Sequence, residues 1–406
     1  MQVVHERCCG MDVHKKTVVA CVRTNEGQET RTFGTMTREL LRLWDWLDQE
    51  QVSAVAMEST GVYWKPVFNV LESLPAELMV VNAQHVKAVP GRKTDVKDAE
   101  WLADLLRHGL LRASFIPPRP ERELRELVRY RRTLIDERSD VVRRIQKLLE
   151  GANIKLGDVA TDVMGVSGRA MLWALAEGRN DPEELSKLAK TSLRKKRAEL
   201  ILALEGSMGD HQRSMLRRQL QHVEFLEGQT EELSGEIEER MRPFQVAIQW
   251  IDDIPGLGQR SAEVVVAEIG VDMSRFPSAK HLCSWAKICP GNHQSAGKRR
   301  SGATGKGNGW LQTALVEAAW AASHQKGTYY HALYHRLATR RGPKRAIVAV
   351  AHALLTAIYH MLRDGVVHQD LGPDHFERLE RDAIVKRNVR CLKKLGYQVT
   401  LQPMAS

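Results

Sequence analysis

Residues 6–35 read ERCCGMDVHKKTVVACVRTNEGQETRTFGT. The first apolar run, 6–13, carries Asp12 and stops at a turn, His14-Lys15-Lys16. Residues 17–24, TVVACVRT, are β-branched and alternate as a strand does, and 28–35, QETRTFGT, read as a weaker third strand. A three-strand meander therefore opens the chain. Beyond it a helix is predicted over about 37–50, with Leu40, Leu41, Trp44 and Leu47 on one face. Residues 52–58, VSAVAME, form a short buried strand ending on Glu58. GVYWKPVFNVLESL is a further helix whose start Pro66 limits, and AELMVVNA, 76–83, a further strand. After a basic loop a helix begins near Asp95, with Leu102, Leu106 and Leu110 as its apolar stripe.

The order β-β-β-α-β-α-β-α is that of an α/β ribonuclease H-like domain, expected over residues 1–115. In such a sheet the first and fourth strands are central neighbours, so Asp12 should stand beside Glu58. The last helix packs there and delivers Asp95 and Asp98 from KTDVKDAEWLADLL, residues 93–106. Two aspartates in a first helical turn, behind Thr94 as N-cap, could simply complement the helix dipole. Four carboxylates from three segments repel one another, however, and make sense together only around cations. Oxygen-only ligands select Mg²⁺. A two-ion carboxylate site suits phosphoryl transfer, one ion activating the attacking oxygen and the other stabilising the leaving oxygen.

The whole chain has 406 residues, a hydrophobic fraction of 43% and a net charge of +10, enough for two or three domains and suited to a polyanionic partner. No apolar run approaches the ~20 residues of a membrane span. The start, MQVVHERCCGMDV, shows neither a signal-peptide core nor a cleavage pattern. A cytoplasmic protein with no membrane partner is expected. The six cysteines form no C-x-x-C pair, and a reducing compartment would keep them as thiols. His281, Cys283, Cys289 and His293 fit no standard zinc spacing, so the two cysteines read as small buried hydrophobes.

Pro117 to Pro120 marks a boundary. Positions 124, 127, 131, 134, 138, 141, 145 and 148 keep coiled-coil spacing, with Arg131 and Arg138 either weakening the seam or turning it to a polyanion. Val223, Leu226, Leu233 and Ile237 form a second stripe that Thr230 interrupts. A helical coiled-coil arm is expected over 116–245, as an intramolecular hairpin or a dimerisation arm. A mainly α-helical domain follows over 246–368, then a polar tail, 369–406. IPGLGQRSAEVVVAEIG, 254–270, resembles a helix-hairpin-helix, in which Gly256 and Gly258 would offer backbone N–H groups to a DNA phosphate. The plain alternative is a glycine turn before a buried helix. From 273 to 316 there is no acidic residue, whereas Arg275, Lys280, Lys287, Lys298, Arg299, Arg300 and Lys306 are all basic. Its centre, PGNHQSAGKRRSGATGKGNGW, lets the backbone approach phosphates closely while Lys298, Arg299, Arg300 and Lys306 neutralise them.

With GMDVHKK, MESTGVYW, KTDVKDAEWLADLL, IPGLG and SAGKRRSGATGKGN in this order, the chain from about 8 to 365 resembles the DEDD transposases of bacterial insertion sequences, the IS one-ten and IS eleven-eleven group. The resemblance implies a RuvC-like first domain, a coiled-coil arm and a C-terminal transposase domain. Asp12, Glu58, Asp95 and Asp98 would be the four Mg²⁺-binding acids. The family's serine motif is commonly Ser-Ser-Gly-Gly-Lys; here Gln294-Ser295-Ala296-Gly297-Lys298 keeps the second serine and the lysine, so Ser295 inherits the nucleophile's role. Ser301 is its nearest competitor, and Lys298 or Arg299 could assist with charge. The resemblance further implies an element-encoded structured guide RNA, target and donor DNA as substrates, and a homo-oligomer, dimer or tetramer. The acid-free serine loop and the acidic tetrad are complementary, so one composite site is expected. Two rivals remain: a Mg²⁺-dependent nuclease of the Holliday-junction type, which needs only the tetrad, and a non-catalytic nucleic-acid scaffold.

Overall fold

The computed structural model describes residues 2–58, 61–81, 95–290, 293–295, 298–301, 304–305 and 307–401, with backbone alone at 95–97, 293–295, 298–301, 380 and 382–384. The chain forms two compact units, Met1–Pro118 and Arg119–Ser406.

In the first unit β1 (Cys8–Val13), β2 (Thr17–Arg23) and β3 (Gln28–Gly34) make the meander. They are followed by α1 (Thr37–Gln49), β4 (Ala54–Glu58), α2 (Trp64–Leu71), β5 (Glu77–Val81) and α3 (Asp95–Arg107). The sheet order is β3-β2-β1-β4-β5. β1–β2 and β2–β3 are antiparallel, while β1–β4 and β4–β5 are parallel. This is a mixed five-stranded α/β sheet with β1 and β4 as central neighbours, the arrangement a ribonuclease H-like domain requires. Strand alternation sends Cys9, Met11, Val13, Val55 and Met57 to the face covered by α1 and α2, where Leu43, Leu47, Val67 and Leu71 complete a core. Cys8, Ala54, Ala56 and Val81 pack on the other face against Leu102 and Leu106 of α3.

Two stripes differ in detail from expectation. In α1 the buried residues are Leu40, Leu43, Trp46 and Leu47. Leu41 is exposed and Trp44 only half-buried, because the sheet meets the face one step round the helix. In α3 Leu102 and Leu106 are buried, but Leu110 is exposed: the helix stops at Arg107, and Gly109 turns the chain with φ +65°.

The second unit is helical. Its longest elements, α4 (Arg119–Gly151) and α6 (Asp210–Met241), run antiparallel, with Arg240 3.6 Å from Glu123 and Arg138 2.7 Å from Glu227. Leu134, Val141, Ile145 and Leu149 pack with Leu216, Leu220, Val223 and Leu226, and α5 (Val166–Ala176) adds Met171 and Leu172 to the same core. Val128 and Leu149 are buried on α4, whereas Leu127 and Leu148 are half-buried. Neither seam arginine is left for a polyanion. Arg131, 4% exposed, pairs with Glu263, and Arg138 shares Glu227 with Arg169.

Beyond short helices between α4 and α6, the unit continues with α7 (Gln245–Asp252), α8 (Gln259–Ile269), α9 (Ala279–Trp285), β6 (His293–Ser295), β7 (Lys298–Ser301), α10 (Gly309–His324), α11 (Tyr329–Arg341), α12 (Pro343–Asp364) and α13 (His375–Lys394). Among the described residues α12 is the one helix long and apolar enough to cross a membrane. Its Ala346, Val350, Leu354, Leu355 and Ile358 are buried within this unit, which accounts for that apolarity as a core helix. The polar tail contains a 20-residue helix, α13.

Candidate functional site

β1 and β4 pair in parallel with Gly10 opposite Ala56 and Met11 opposite Met57. Continuing that register places Asp12 against Glu58, on strands about 4.8 Å apart. Alternation fixes their direction. Cys8 and Gly10 face α3, as do Ala54 and Ala56, so Asp12 and Glu58 face the same side.

The helix above runs opposite to β1. Val4 N donates to Arg107 O at 2.8 Å, Cys8 Sγ lies 3.5 Å from Ala103 O, and Gly10 sits against Ala99 and Ala103. Two strand residues thus correspond to about one helical turn. The next step, at Asp12, meets the first turn of α3, where Asp95 and Asp98 begin the helix. The far end of α3 is pinned by Arg23 to Asp104 at 2.7 Å and by Arg107 Nη1 to Thr24 O at 2.5 Å.

Asp12 is 12% exposed, and Glu58 and Asp98 are half-buried. The side chain of Asp95 and the whole of Thr94 lie outside the described residues. Among the described residues no three His, Cys, Asp or Glu side chains stand close enough to hold one metal ion. What the backbone provides is a strand-end carboxylate pair under a helix start that carries two more acids. That donor set is all oxygen and suits a hard divalent cation. Sequence reasoning passed over His14. Its Nε2 lies 3.0 Å from Asp12 Oδ2, and its i, i+2 spacing from Asp12 at a strand end is the signal that would have found it.

In the second unit the glycine-rich loop contains a β-hairpin, in which Ser295 pairs with Lys298, Gln294 with Arg299 and His293 with Ser301. The backbone thus sets Ser295 beside Lys298. The side chains of Ser295, Lys298, Arg299 and Arg300, and all of Lys306, lie outside the described residues. Below the hairpin, Asn308 caps α10 by accepting from Leu311 N and donates through Nδ2 to Glu268 Oε2 at 2.6 Å.

The two glycines of IPGLG do different work. Gly256 has φ +88°, and a Cβ there would lie 2.4 Å from both Ala318 O and Ala322 N, so this glycine lets the turn pack on α10. Gly258 is exposed at the N-cap of α8, and no side chain caps it, leaving the first-turn N–H groups facing outward.

Residues 9–154 match the model of IS110-type DEDD transposases, and residues 248–335 match that of the IS116/IS110/IS902 transposase family. The chain belongs to the IS110 family of DEDD transposases. The first match spans all four acidic positions and the second spans Ser295. Among its relatives, y4qE of Sinorhizobium fredii, which carries a transposase name, is 23% identical over 88% of this chain and 82% of its own length. A 43.6 kDa protein of insertion element IS110 from Streptomyces coelicolor is 30% identical over 30% of each chain. A pilin gene-inverting protein of Moraxella bovis is 32% identical over 27% of this chain and 35% of its own. The last two likenesses thus span about a third of those relatives.

Within this IS110-family chain several arginines of α4 are held by carboxylates of other helices. Glu268, 1% exposed, accepts from Arg129 Nε at 2.7 Å and Nη2 at 2.8 Å, with Arg125 Nε 3.2 Å away. Arg275, inside the acid-free stretch, is likewise held by Glu121 at 2.8 Å.

Proposed function

We propose that the protein is a DNA recombinase of an insertion sequence, cutting, exchanging and rejoining strands at target and donor sites under the direction of an element-encoded RNA. The observation that carries the reading is the register of β1 and β4, which sets Asp12 and Glu58 side by side beneath the helix that begins with Asp95 and Asp98. The family membership and the inverting relative point the same way. Asp12, Glu58, Asp95 and Asp98 would hold Mg²⁺, which would supply positive charge for phosphoryl transfer. His14 orients Asp12 and limits its rotamers. Ser295 Oγ attacks a DNA phosphorus, loses its proton and forms a phosphoserine ester, and the departing sugar oxygen takes up a proton. Reversal by another strand's hydroxyl restores the serine and rejoins DNA with no net loss of phosphodiester bonds. Gly258 and the hairpin cations Lys298, Arg299 and Arg300, with Lys306, hold the phosphate backbone. The active form is a homo-oligomer, a dimer or tetramer, whose arm is the α4–α6 hairpin.

The test is to incubate the protein with Mg²⁺, element RNA and both DNA sites and to sequence the products. Recombined junctions are expected. Nicked or resolved products alone would identify a junction nuclease, and unchanged DNA would leave a binding scaffold.

A further inference from the structure

Helix α13 carries a cationic face that the proposed reading does not use. From Ala383 to Leu401 the sequence has no acid, yet it holds Lys386, Arg387, Arg390, Lys393 and Lys394. All five are exposed, and among the described residues none makes an ion pair, in contrast to Arg125, Arg129, Arg131, Arg132 and Arg138 of α4. At 3.6 residues per turn the five fall within one arc of about 120°, bordered on one side by Val389 and Val385. The helix dipole favours Lys393 and Lys394 in the last turn but not Lys386, Arg387 and Arg390 before it. The start of the helix is anchored: Phe376 stacks on Tyr329 with ring centroids 5.3 Å apart, and Arg336 lies 4.9 Å over the Phe376 ring.

Charge spacing indicates the partner. Five cations over about 12 Å of helix make one per about 2.4 Å, close to the one charge per about 1.7 Å of a nucleic-acid duplex. An α-helix with an exposed cationic face fits the major groove of B-DNA, whereas the deep, narrow major groove of an RNA duplex excludes it. We propose that α13 is a DNA-docking helix that lies along the phosphate walls of a duplex through Lys386, Arg387, Arg390, Lys393 and Lys394. It rests on the reading of the chain as a DNA-handling protein and adds a second contact surface outside both family matches.

The experiment uses the full chain and a variant with all five cations changed to Gln, which keeps helix propensity. Binding to a DNA duplex and to an RNA duplex of the same sequence is followed by anisotropy across a salt series, and circular dichroism confirms that helix content is kept. A triple variant, Lys386→Gln, Arg387→Gln and Arg390→Gln, serves if the fivefold change unfolds the tail. The log–log salt slope on DNA should become shallower by about 3 to 4 in the fivefold variant and by about 2 to 3 in the triple. An unchanged DNA slope overturns the proposal, and an equal or larger change on the RNA duplex assigns the face to RNA and overturns it equally. If the wild type recombines DNA while the variant's slope is unmoved, only this docking surface fails. If the slope responds but no recombination occurs under any condition, only the recombinase reading fails.

Discussion

Gly10 of β1 lies directly against the backbone of Ala103 in α3: a Cβ on Gly10 would come within 2.3 Å of Ala103 N and 2.4 Å of Ala99 O. This approach sets the height of α3 above the sheet, and so the position of its first turn over Asp12 and Glu58. Backbone atoms cannot step aside as a flexible side chain can. Gly10→Ala should therefore cost about 3 kcal/mol or more, read as a lower urea midpoint, and should abolish recombination although no carboxylate is touched. An unchanged midpoint would mean that α3 is not seated by this contact.

The carboxylates themselves can be separated from the fold. Asp12→Asn and Glu58→Gln keep shape and remove charge, so each should still fold, as a melting curve would show. Each should lose recombination by at least about a thousandfold if it ligates the ion. Asp98→Ala asks whether the helix-start acids are ligands or only dipole partners. Loss of activity with an unchanged melting temperature supports ligation. Full activity would return Asp98 to a capping role worth about 0.3–1 kcal/mol.

How much of this was legible in the sequence follows from what each feature depends on. Strand alternation and turn chemistry are local, so the β-β-β-α-β-α-β-α order and the strand ends at Asp12 and Glu58 could be read directly. Which side of a helix meets the sheet depends on the partner. Leu41 and Trp44 therefore read as core residues, whereas Leu43 and Trp46 fill the core, Trp46 against Phe33 of β3 with ring centroids 5.6 Å apart. The roles of Arg131 and Arg138 were unreadable for a related reason: their carboxylates, Glu263 and Glu227, lie 132 and 89 residues away in sequence. The glycine-rich loop hid its hairpin because HQS and KRRS lack the β-branched and aromatic residues that announce strands.

Arg131 and Glu263 are both almost fully buried, with Nη2 and Oε2 2.5 Å apart. Arg131→Met strands the carboxylate of Glu263 and should destabilise the second unit by about 3–5 kcal/mol. Adding Glu263→Leu removes the stranded charge and should recover most of that loss, since a buried ion pair replaced by apolar side chains is often near neutral. Urea denaturation of the two variants measures the difference. A double variant as unstable as the single one would show that Arg131 acts through packing and not through its charge.

The thiols give a pH test. Burial pushes Cys8 up to about 11, against the partial opposing pull of Arg107 and Arg23. In the unfolded chain the thiol loses its proton near its ordinary value of 9.0, whereas the folded chain still holds it. Between these values the native state binds more protons, so stability falls as pH rises from about 9 to about 11. Cys8→Ala should flatten that decline in a pH series of denaturation midpoints. In the native protein at neutral pH a thiol reagent should modify Cys391 first, because it alone is exposed, while Cys8, Cys9, Cys21 and Cys283 react only after unfolding.

Ser295 decides between a recombinase that stores bond energy in the protein and a nuclease that spends it on water. A hydroxyl is a weak nucleophile unless a base or a metal activates it. Its own segment, 273–316, contains no carboxylate, although His281 and His293 lie in it; on the proposed reading the acidic tetrad and its metal activate the hydroxyl, and the strand neighbour Lys298 would lend positive charge to the phosphate. On that reading the proposed phosphoserine ester would require both the serine and the acidic tetrad. A reaction stalled before rejoining and run on a denaturing gel should show protein joined to DNA for the wild type. It should show none for Ser295→Ala or Asp12→Asn, and both variants should keep duplex affinity. Ser301 is paired with His293 at the open end of the hairpin, away from the pair that Ser295 makes with Lys298. An adduct that persists in Ser295→Ala and vanishes in Ser301→Ala would move the nucleophile to that end and overturn the assignment. An adduct in neither the wild type nor the variants, with nicked DNA accumulating, would make water the attacking group and leave the hairpin as a phosphate clamp.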